Sequence, residues 1–331
     1  MQTKHFDLLI CPTCGSRFQS LAYSQSDESS SWLVCVENGH SFPLKNGIPR
    51  FVDPGNYAES FGFQWKKFSQ VQLDSYNGTG FSEERFRSIT DWTRDELAGK
   101  LILDAGCGAG RFSEIAIKYD ADLVAFDISE AVDAWRENLS PAESFVCQAS
   151  IYELPFTPGI FDYVYCIGVV QHTPYPLETI RALCRMVKPC GQIGLWIYEH
   201  DWKSYLGTLG FKYALRPVLS RLSRAQQYSI CNSMVDLLFP IVAFCKPRGL
   251  IGKIIMRLLP IASAHIQSVP LRLEDFKAWV LLDTFDMYSP VYDQPQTYNT
   301  VAGVLIDEDF ENIQRHAHGG IAITATRRSS G

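Results

Sequence analysis

The chain has 331 residues, 46% hydrophobic and 20% charged, with a formal net charge of −6. At roughly 100–200 residues per domain this length suggests two or three structural units, and the composition excludes a disordered or fibrous chain. The acidic balance disfavours a protein whose whole surface tracks a phosphate backbone, because such binding relies on clustered Lys and Arg.

Met1 to Ile10 contains no apolar run long enough for a secretory signal. The most apolar stretch, Leu237 to Cys245, is nine residues long and interrupted by Pro240, short of the roughly 20 residues a spanning helix needs. A cytoplasmic chain that does not cross a membrane is expected. In that setting the ten cysteines read as metal ligands and small core residues rather than disulfides.

The first motif is Cys11-Pro-Thr-Cys14-Gly15, in which two thiolates and nearby backbone amides converge on one ion. Cys35-Val-Glu-Asn-Gly-His40 supplies a thiolate and an imidazole across a second turn. Together Cys11, Cys14, Cys35 and His40 form a closed tetrahedral set, so a structural zinc ion is expected. A module this small builds little core of its own, and metal binding would supply much of its folding free energy. A redox role for the Cys pair lacks the surrounding strand–helix pattern. Residues 11–15 together with Gly39-His-Ser-Phe-Pro-Leu-Lys-Asn-Gly-Ile-Pro-Arg-Phe51 resemble a family of zinc ribbons. Those ribbons serve as methyltransferase activator subunits and head bacterial ribosomal-RNA guanine methyltransferases. Four residues separate Cys35 from His40 here, where the related pattern has three.

Residues 56–98 are rich in aromatics, among them Tyr57, Phe61, Trp65, Phe68, Phe81 and Phe86. They read as helices that either cap a ligand or pack on the core. From residue 100 the chain alternates apolar strands with helices, which implies a parallel sheet covered on both faces. Lys100–Ala105 is the first strand, and Asp104-Ala-Gly106-Cys-Gly108-Ala-Gly110 turns it into a helix over 111–119. Glycines there permit a tight turn and close backbone approach to a ligand. Asp122–Asp127 is the second strand, and its terminal carboxylate is placed to accept both hydroxyls of a ribose. A dinucleotide fingerprint would need a small residue at 111, where this chain has Arg111.

This acid followed by G-x-G-x-G resembles the class I S-adenosylmethionine-dependent methyltransferase motif. The resemblance implies that Asp104, Gly106, Gly108 and Gly110 hold the methionine portion of S-adenosylmethionine and that Asp127 holds its ribose. Ser150 and Ile151, after a third strand over 144–148, occupy the adenine loop, with Ser150 in place of the family's acid. Ile128 and Cys166 complete the cofactor set. Strand four, Phe161–Gly168, leads to His172, and a helix with Leu177, Ile180, Leu183 and Val187 on one stripe precedes strand five at 192–198. His172 is placed to act as a general base, or simply to line the pocket. His200, in Tyr198-Glu-His-Asp201, is a second catalytic candidate, though helix capping explains that cluster equally well.

Asp201 to Pro270 carries nine Lys or Arg against two acids, a charge of +7 while the remainder is −13. Leu215, Val218, Leu219 and Leu222 alternate with Arg216, Arg221 and Arg224, and residues 251–259 show a similar pattern, which predicts basic amphipathic helices. A lid with a solvated basic face, a peripheral membrane contact, and phosphate contacts to RNA all fit this pattern. The run Leu282 to Pro290 mixes acids and aromatics as a pocket wall or an ordered loop would. Phe310–Arg327 reads as a hairpin turning at Gly319-Gly320, the antiparallel closure of class I methyltransferase sheets.

The expected fold is a doubly wound α/β domain with a seven-stranded, mostly parallel sheet ending in an antiparallel strand. A zinc ribbon at 1–55, a helical linker at 56–98, a core at 99–200 and 291–331, and a helical lid at 201–290 make up the chain. The expected activity is methyl transfer from S-adenosylmethionine to a small-molecule or lipid-like acceptor, the core resembling quinone-biosynthesis C-methyltransferases and related O-methyltransferases. An RNA base methyltransferase and a non-catalytic zinc-ribbon scaffold are the alternatives.

Overall fold

The computed structural model describes residues 3–23, 31–53, 55, 57–139, 144–200 and 208–329. A short helix α1 (Thr3–Phe6) precedes a four-stranded antiparallel sheet of β1 (Phe18–Tyr23), β2 (Ser31–Cys35), β3 (Ser41–Lys45) and β4 (Ile48–Pro49). The next segment folds as α2 (Glu59–Lys67), α3 (Asp74–Asn77), α4 (Phe81–Thr90) and α5 (Arg94–Leu97). The core then alternates β5 (Leu101–Ala105), α6 (Ser113–Lys118), β6 (Asp122–Asp127), α7 (Ala131–Leu139), β7 (Phe145–Gln148), β8 (Phe161–Ile167), α8 (Pro176–Cys184) and β9 (Val187–Ile197). Four helices follow: α9 (Thr208–Leu219), α10 (Arg224–Cys245), α11 (Gly249–Arg257) and α12 (Leu273–Tyr288). Helix α13 (Tyr298–Asp307) leads into the closing hairpin of β10 (Phe310–His316) and β11 (Ile321–Arg327).

The large sheet has seven strands in the order β10-β11-β9-β8-β5-β6-β7. Pairing is parallel from β9 through β7, while β11 runs antiparallel to both β9 and β10. The central strands are near-continuous apolar runs because helices cover both faces. The chain moves outward from β5 to β7 and returns to β8 on the other side of β5. That reversal opens a crevice at the carboxyl ends of β5 and β8, where ligands of such sheets bind.

The ribbon does not stand apart from this core. Leu9, Cys11, Phe18, Leu33, Cys35 and Phe51 share one buried apolar cluster with Phe156, Phe145 and Val124 of the large domain. Backbone bonds join Ile10 to Pro155 and Phe51 to Gln148 beside β7.

The helix expected to run through Val187 ends instead at Cys184, and Val187 opens β9. Residues between Val187 and Gln192 form a bulge against β8, because Pro189 cannot donate to a ladder. Leu282–Tyr288 is the last part of α12 and not a loop. Pro240 is accommodated inside α10, so Arg224–Arg257 is by length and composition apolar enough to cross a bilayer, which the nine-residue run understated. One stripe of α10, including Cys231, Val235, Phe239 and Val242, is buried in a cluster shared with α12.

The expected alternation of Leu222 and Arg224 with α9 fails because Ser223 caps a new helix, its hydroxyl accepting from the Gln226 N–H. The basic residues also do not share one solvated face. Lys212 and Arg216 turn inward to Asp293, Arg224 donates to the Ser289 carbonyl and Lys246 to those of Gln267 and Val269. Asp201 and Lys203, counted in that charge, lie outside the described residues.

Candidate functional site: a nucleoside cradle and a polar cleft

The turn after β5 is held from below. Asp104 is buried and its carboxylate accepts the Ser113 hydroxyl at 2.5 Å, while the Trp135 indole N–H donates to the same hydroxyl at 2.7 Å. Burial pushes the Asp104 carboxyl up to about 7 against the Ser113 hydrogen bond. Asp104 therefore shapes the loop from the interior side. Gly106 has φ +79°, and a Cβ there would meet Val169 at 2.5 Å, so neither the conformation nor the space admits a side chain. Gly110, at φ +101°, is closed off similarly by Leu139.

Asp127 sits at the carboxyl end of β6, half-buried. Its Oδ2 accepts the Gly108 N–H at 3.0 Å, and its Oδ1 accepts the N–H and hydroxyl of Ser129 at 2.8 and 2.6 Å. Each carboxylate oxygen offers about two lone pairs, so Oδ2 keeps one for a ligand hydroxyl. Ser129 was not singled out from the sequence, although Asp-x-Ser is an Asx-type turn signature that points to it. Ile128 lies beside Asp127, and its carbonyl accepts the Gln148 amide at 2.9 Å. Ser150 uses its hydroxyl to accept the Tyr152 N–H, and Ile151 is buried next to it. Cys166 is fully buried in the apolar cluster near the end of β8.

Helix α2 crosses the mouth of this cradle. A Cβ on Gly108 would touch the Trp65 indole at 3.1 Å, Lys66 pairs with Glu130 at 2.5 Å, and Phe61 stacks near His172 at 5.6 Å between centroids. The aromatic segment thus both caps the cradle and packs on the core.

His172 follows β8 and is 5% exposed. Its Nδ1–H donates to the Tyr292 carbonyl at 3.0 Å, which leaves Nε2 as an unprotonated acceptor with no partner. Burial draws its pKa down to about 4, so the ring is neutral at pH 7. His200 is exposed, its backbone N–H bonded to the Gln296 carbonyl at 2.7 Å. Beyond His172 lie Tyr198, at 5.4 Å between rings, and a buried ion pair of Lys212 and Asp293 at 2.7 Å. No sequence signal marks that pair, because α9 and the segment after α12 meet only in three dimensions. A surface depression of about 340 Å³ lies between α4, α5 and the end of α6, lined by Glu83, Arg94, Lys118 and Tyr119.

In the ribbon, the ligand atoms of Cys11, Cys14, Cys35 and His40 all lie within 4.8 Å of one another. Cys14 and Cys35 sulfurs are 3.8 Å apart, and His40 Nδ1 is 3.5 and 3.6 Å from those of Cys11 and Cys35. Zinc bonds of about 2.3 Å to sulfur and 2.0–2.1 Å to nitrogen give tetrahedral edges of roughly 3.8 and 3.5 Å. The set therefore fits zinc, and the extra residue between Cys35 and His40 does not displace the imidazole.

A switch-point crevice, a glycine turn over a ribose-competent carboxylate and an aromatic cap define a nucleoside-binding α/β domain. Residues 103–195 match the family described as a methyltransferase domain. The ubiquinone biosynthesis O-methyltransferase of Pseudomonas paraeruginosa is 37% identical over 129 residues, covering 37% of this chain and 55% of the relative. That of Dechloromonas aromatica is 36% identical over 133 residues, covering 38% and 57%. The chain thus spans little more than half the length of the curated relatives it matches. Among solved structures, magnesium protoporphyrin IX methyltransferase from Synechocystis with bound SAH has a TM-score of 0.44 at 14% identity, covering 82% of this chain and 96% of that one.

Proposed function

We propose that the chain transfers a methyl group from S-adenosylmethionine to a small-molecule acceptor. The observation that carries this reading is the Gly106–Gly110 turn whose Gly108 N–H is bonded to Asp127, a carboxylate with one lone pair to spare at the switch point. When bound, S-adenosylmethionine supplies a methyl group that is already strongly electrophilic, so alignment and exclusion of water carry most of the catalysis. Asp127 holds the ribose, Ile128 and Ile151 flank the base, and Tyr57, Phe61 and Trp65 close the cradle. Where the acceptor is a hydroxyl, His172 Nε2 takes its proton, the Tyr292 carbonyl having fixed the tautomer. Cys11, Cys14, Cys35 and His40 hold a structural zinc ion. Calorimetric titration with S-adenosylmethionine tests the cradle: Asp127→Ala is expected to weaken binding at least 30-fold, and unchanged affinity sinks the assignment.

We further propose that the exposed stripe of α10 and α11 rests on an anionic bilayer. Leu237, Phe244, Leu250, Ile251, Ile254 and Leu258 are each more than half exposed. Arg248 and Arg257 are exposed along the same stretch, a charge sign that suits anionic headgroups. Cosedimentation with phosphatidylglycerol-containing vesicles is expected to weaken with salt and to fall at least tenfold in the double variant Leu250→Glu with Ile254→Glu. Absence of vesicle binding, or a concentration-dependent dimer abolished by the same variant, overturns the bilayer as occupant.

A further inference from the structure

Among the described residues, eight of the fourteen buried side-chain polar atoms that lack a hydrogen-bond partner belong to six residues, Gln64, Arg85, Arg111, Gln171, His172 and Asp293. Contacts link them into one surface. Phe61 of α2, three residues before Gln64, lies against His172, which faces Tyr198. Lys212 lies 5.0 Å over that tyrosine ring and pairs with Asp293. Trp196 joins Tyr198 at 5.4 Å and carries the Arg85 guanidinium 4.4 Å above its ring. Arg111 donates to Ser82, one turn before Arg85 on α4. Although Asp293 lies 2.7 Å from Lys212, neither of its oxygens receives an aligned hydrogen bond. Gln171 is fully buried, yet both ends of its amide are unpartnered.

Buried polar groups are ordinarily satisfied, so a concentration of exceptions calls for a partner. The chemistry of these eight atoms says which kind. Gln64 Oε1, Gln171 Oε1, His172 Nε2 and the two Asp293 oxygens accept, whereas Arg85 Nε, Arg111 Nη2 and Gln171 Nε2 donate. A phosphate, a carboxylate or a quinone carbonyl meets only the donors. An isoprenoid tail meets neither. A hydroxyl both donates and accepts, and a ring bearing several of them presents both functions on every side. Asp286, facing the same cleft from α12, adds a carboxyl that burial pushes up to about 7, so it also can act in either role.

We propose that the methyl acceptor is a hydroxyl-rich, carbohydrate-like molecule seated between the ends of β8 and β9 and helices α2, α4 and α12. This deepens the methyl-transfer reading and rests on it. A polar acceptor also gives the inward Lys212 and Asp293 a task that an apolar quinone would not.

The test uses the full-length protein with labelled S-adenosylmethionine and an extract of the cells that make it. After reaction, the extract is split into organic-soluble, RNA, protein and water-soluble fractions, and each is acid-hydrolysed and analysed for O-methyl monosaccharides by mass spectrometry. Label in O-methyl sugars is the expected result. Label in an organic-soluble product that yields no methylated sugar, or in RNA or protein, overturns the acceptor class while leaving methyl transfer intact. No label in any fraction from a protein that still binds S-adenosylmethionine overturns methyl transfer itself. Gln171→Leu supplies a second readout: it is expected to raise the acceptor KM at least tenfold with S-adenosylmethionine affinity unchanged and the melting temperature equal or higher. An unchanged KM in that variant also refutes the site.

Discussion

Lys212 and Asp293 form an ion pair with only 4% and 3% of their side chains exposed, so each is the main compensation for the other's burial. Replacing Lys212 by Met keeps the stem and removes the charge, which leaves a carboxylate in the interior. Breaking such a pair from one side costs about 3–5 kcal/mol. Arg216 stands 4.0 Å from the same carboxylate and remains as a partial partner, which places the expected loss at the lower end, about 3 kcal/mol. With an unfolding entropy of about 2.1 cal/mol/K per residue, that loss lowers the melting temperature of a chain this size by about 4 °C. The double variant Lys212→Met with Asp293→Leu removes both charges, and most of the lost stability is expected to return. Differential scanning calorimetry of the single and double variants in a zinc-containing buffer measures both quantities. A single variant within 1 °C of the parent, or a double variant no better than the single, would show that the pair is not coupled as described.

His172 is neutral in the fold down to about pH 4, whereas an unfolded histidine protonates near 6.5. The unfolded state binds more protons in that window, so His172 destabilises the protein as pH falls from about 6.5 toward 4, by about 2 kcal/mol at pH 5. His172→Gln is expected to abolish that share of the acid sensitivity, and denaturant titrations at pH 8 and pH 5 that lose stability in parallel for both proteins would refute it. Zinc chelation is expected to lower the melting temperature of the whole chain in one transition, because ribbon and domain share an apolar cluster. It should also weaken S-adenosylmethionine binding, since Arg50 bonds Gln148, which holds the Ile128 carbonyl. Metal-free protein with an unchanged melt would remove the metal site.

The parts legible in the sequence are those encoded locally. Alternation of apolar strands with helices, the Asp104–Gly110 turn and the acid ending β6 each occupy a short contiguous window. The Cys11 and Cys14 pair with Cys35 and His40 was legible for the same reason, since metal spacing is a sequence-level constraint. What escaped is non-local. Arg216 read as part of a basic helix face because periodicity reports that a helix has two faces and not which one meets a carboxylate from elsewhere. The helix over 176–187 was drawn too long because Val187 fits a helical stripe and a strand start equally well.

The likeness to ubiquinone biosynthesis O-methyltransferases covers 37% of this chain, and the matched family spans residues 103–195. That stretch holds the glycine turn and Asp127, together with Arg111, Gln171 and His172 of the proposed acceptor surface. Gln64, Arg85, Lys212, Asp286 and Asp293 all lie outside it and reach the cleft from α2, α4, α9 and the end of the α12 region. The match over 103–195 therefore says nothing of those five positions. The proposed acceptor is read instead from the hydrogen-bonding capacity left over on both sides of that boundary, at Arg111, Gln171 and His172 within it and at Gln64, Arg85 and Asp293 beyond it, and an apolar acceptor would leave donors and acceptors of both kinds buried and unmet at about 1–3 kcal/mol apiece.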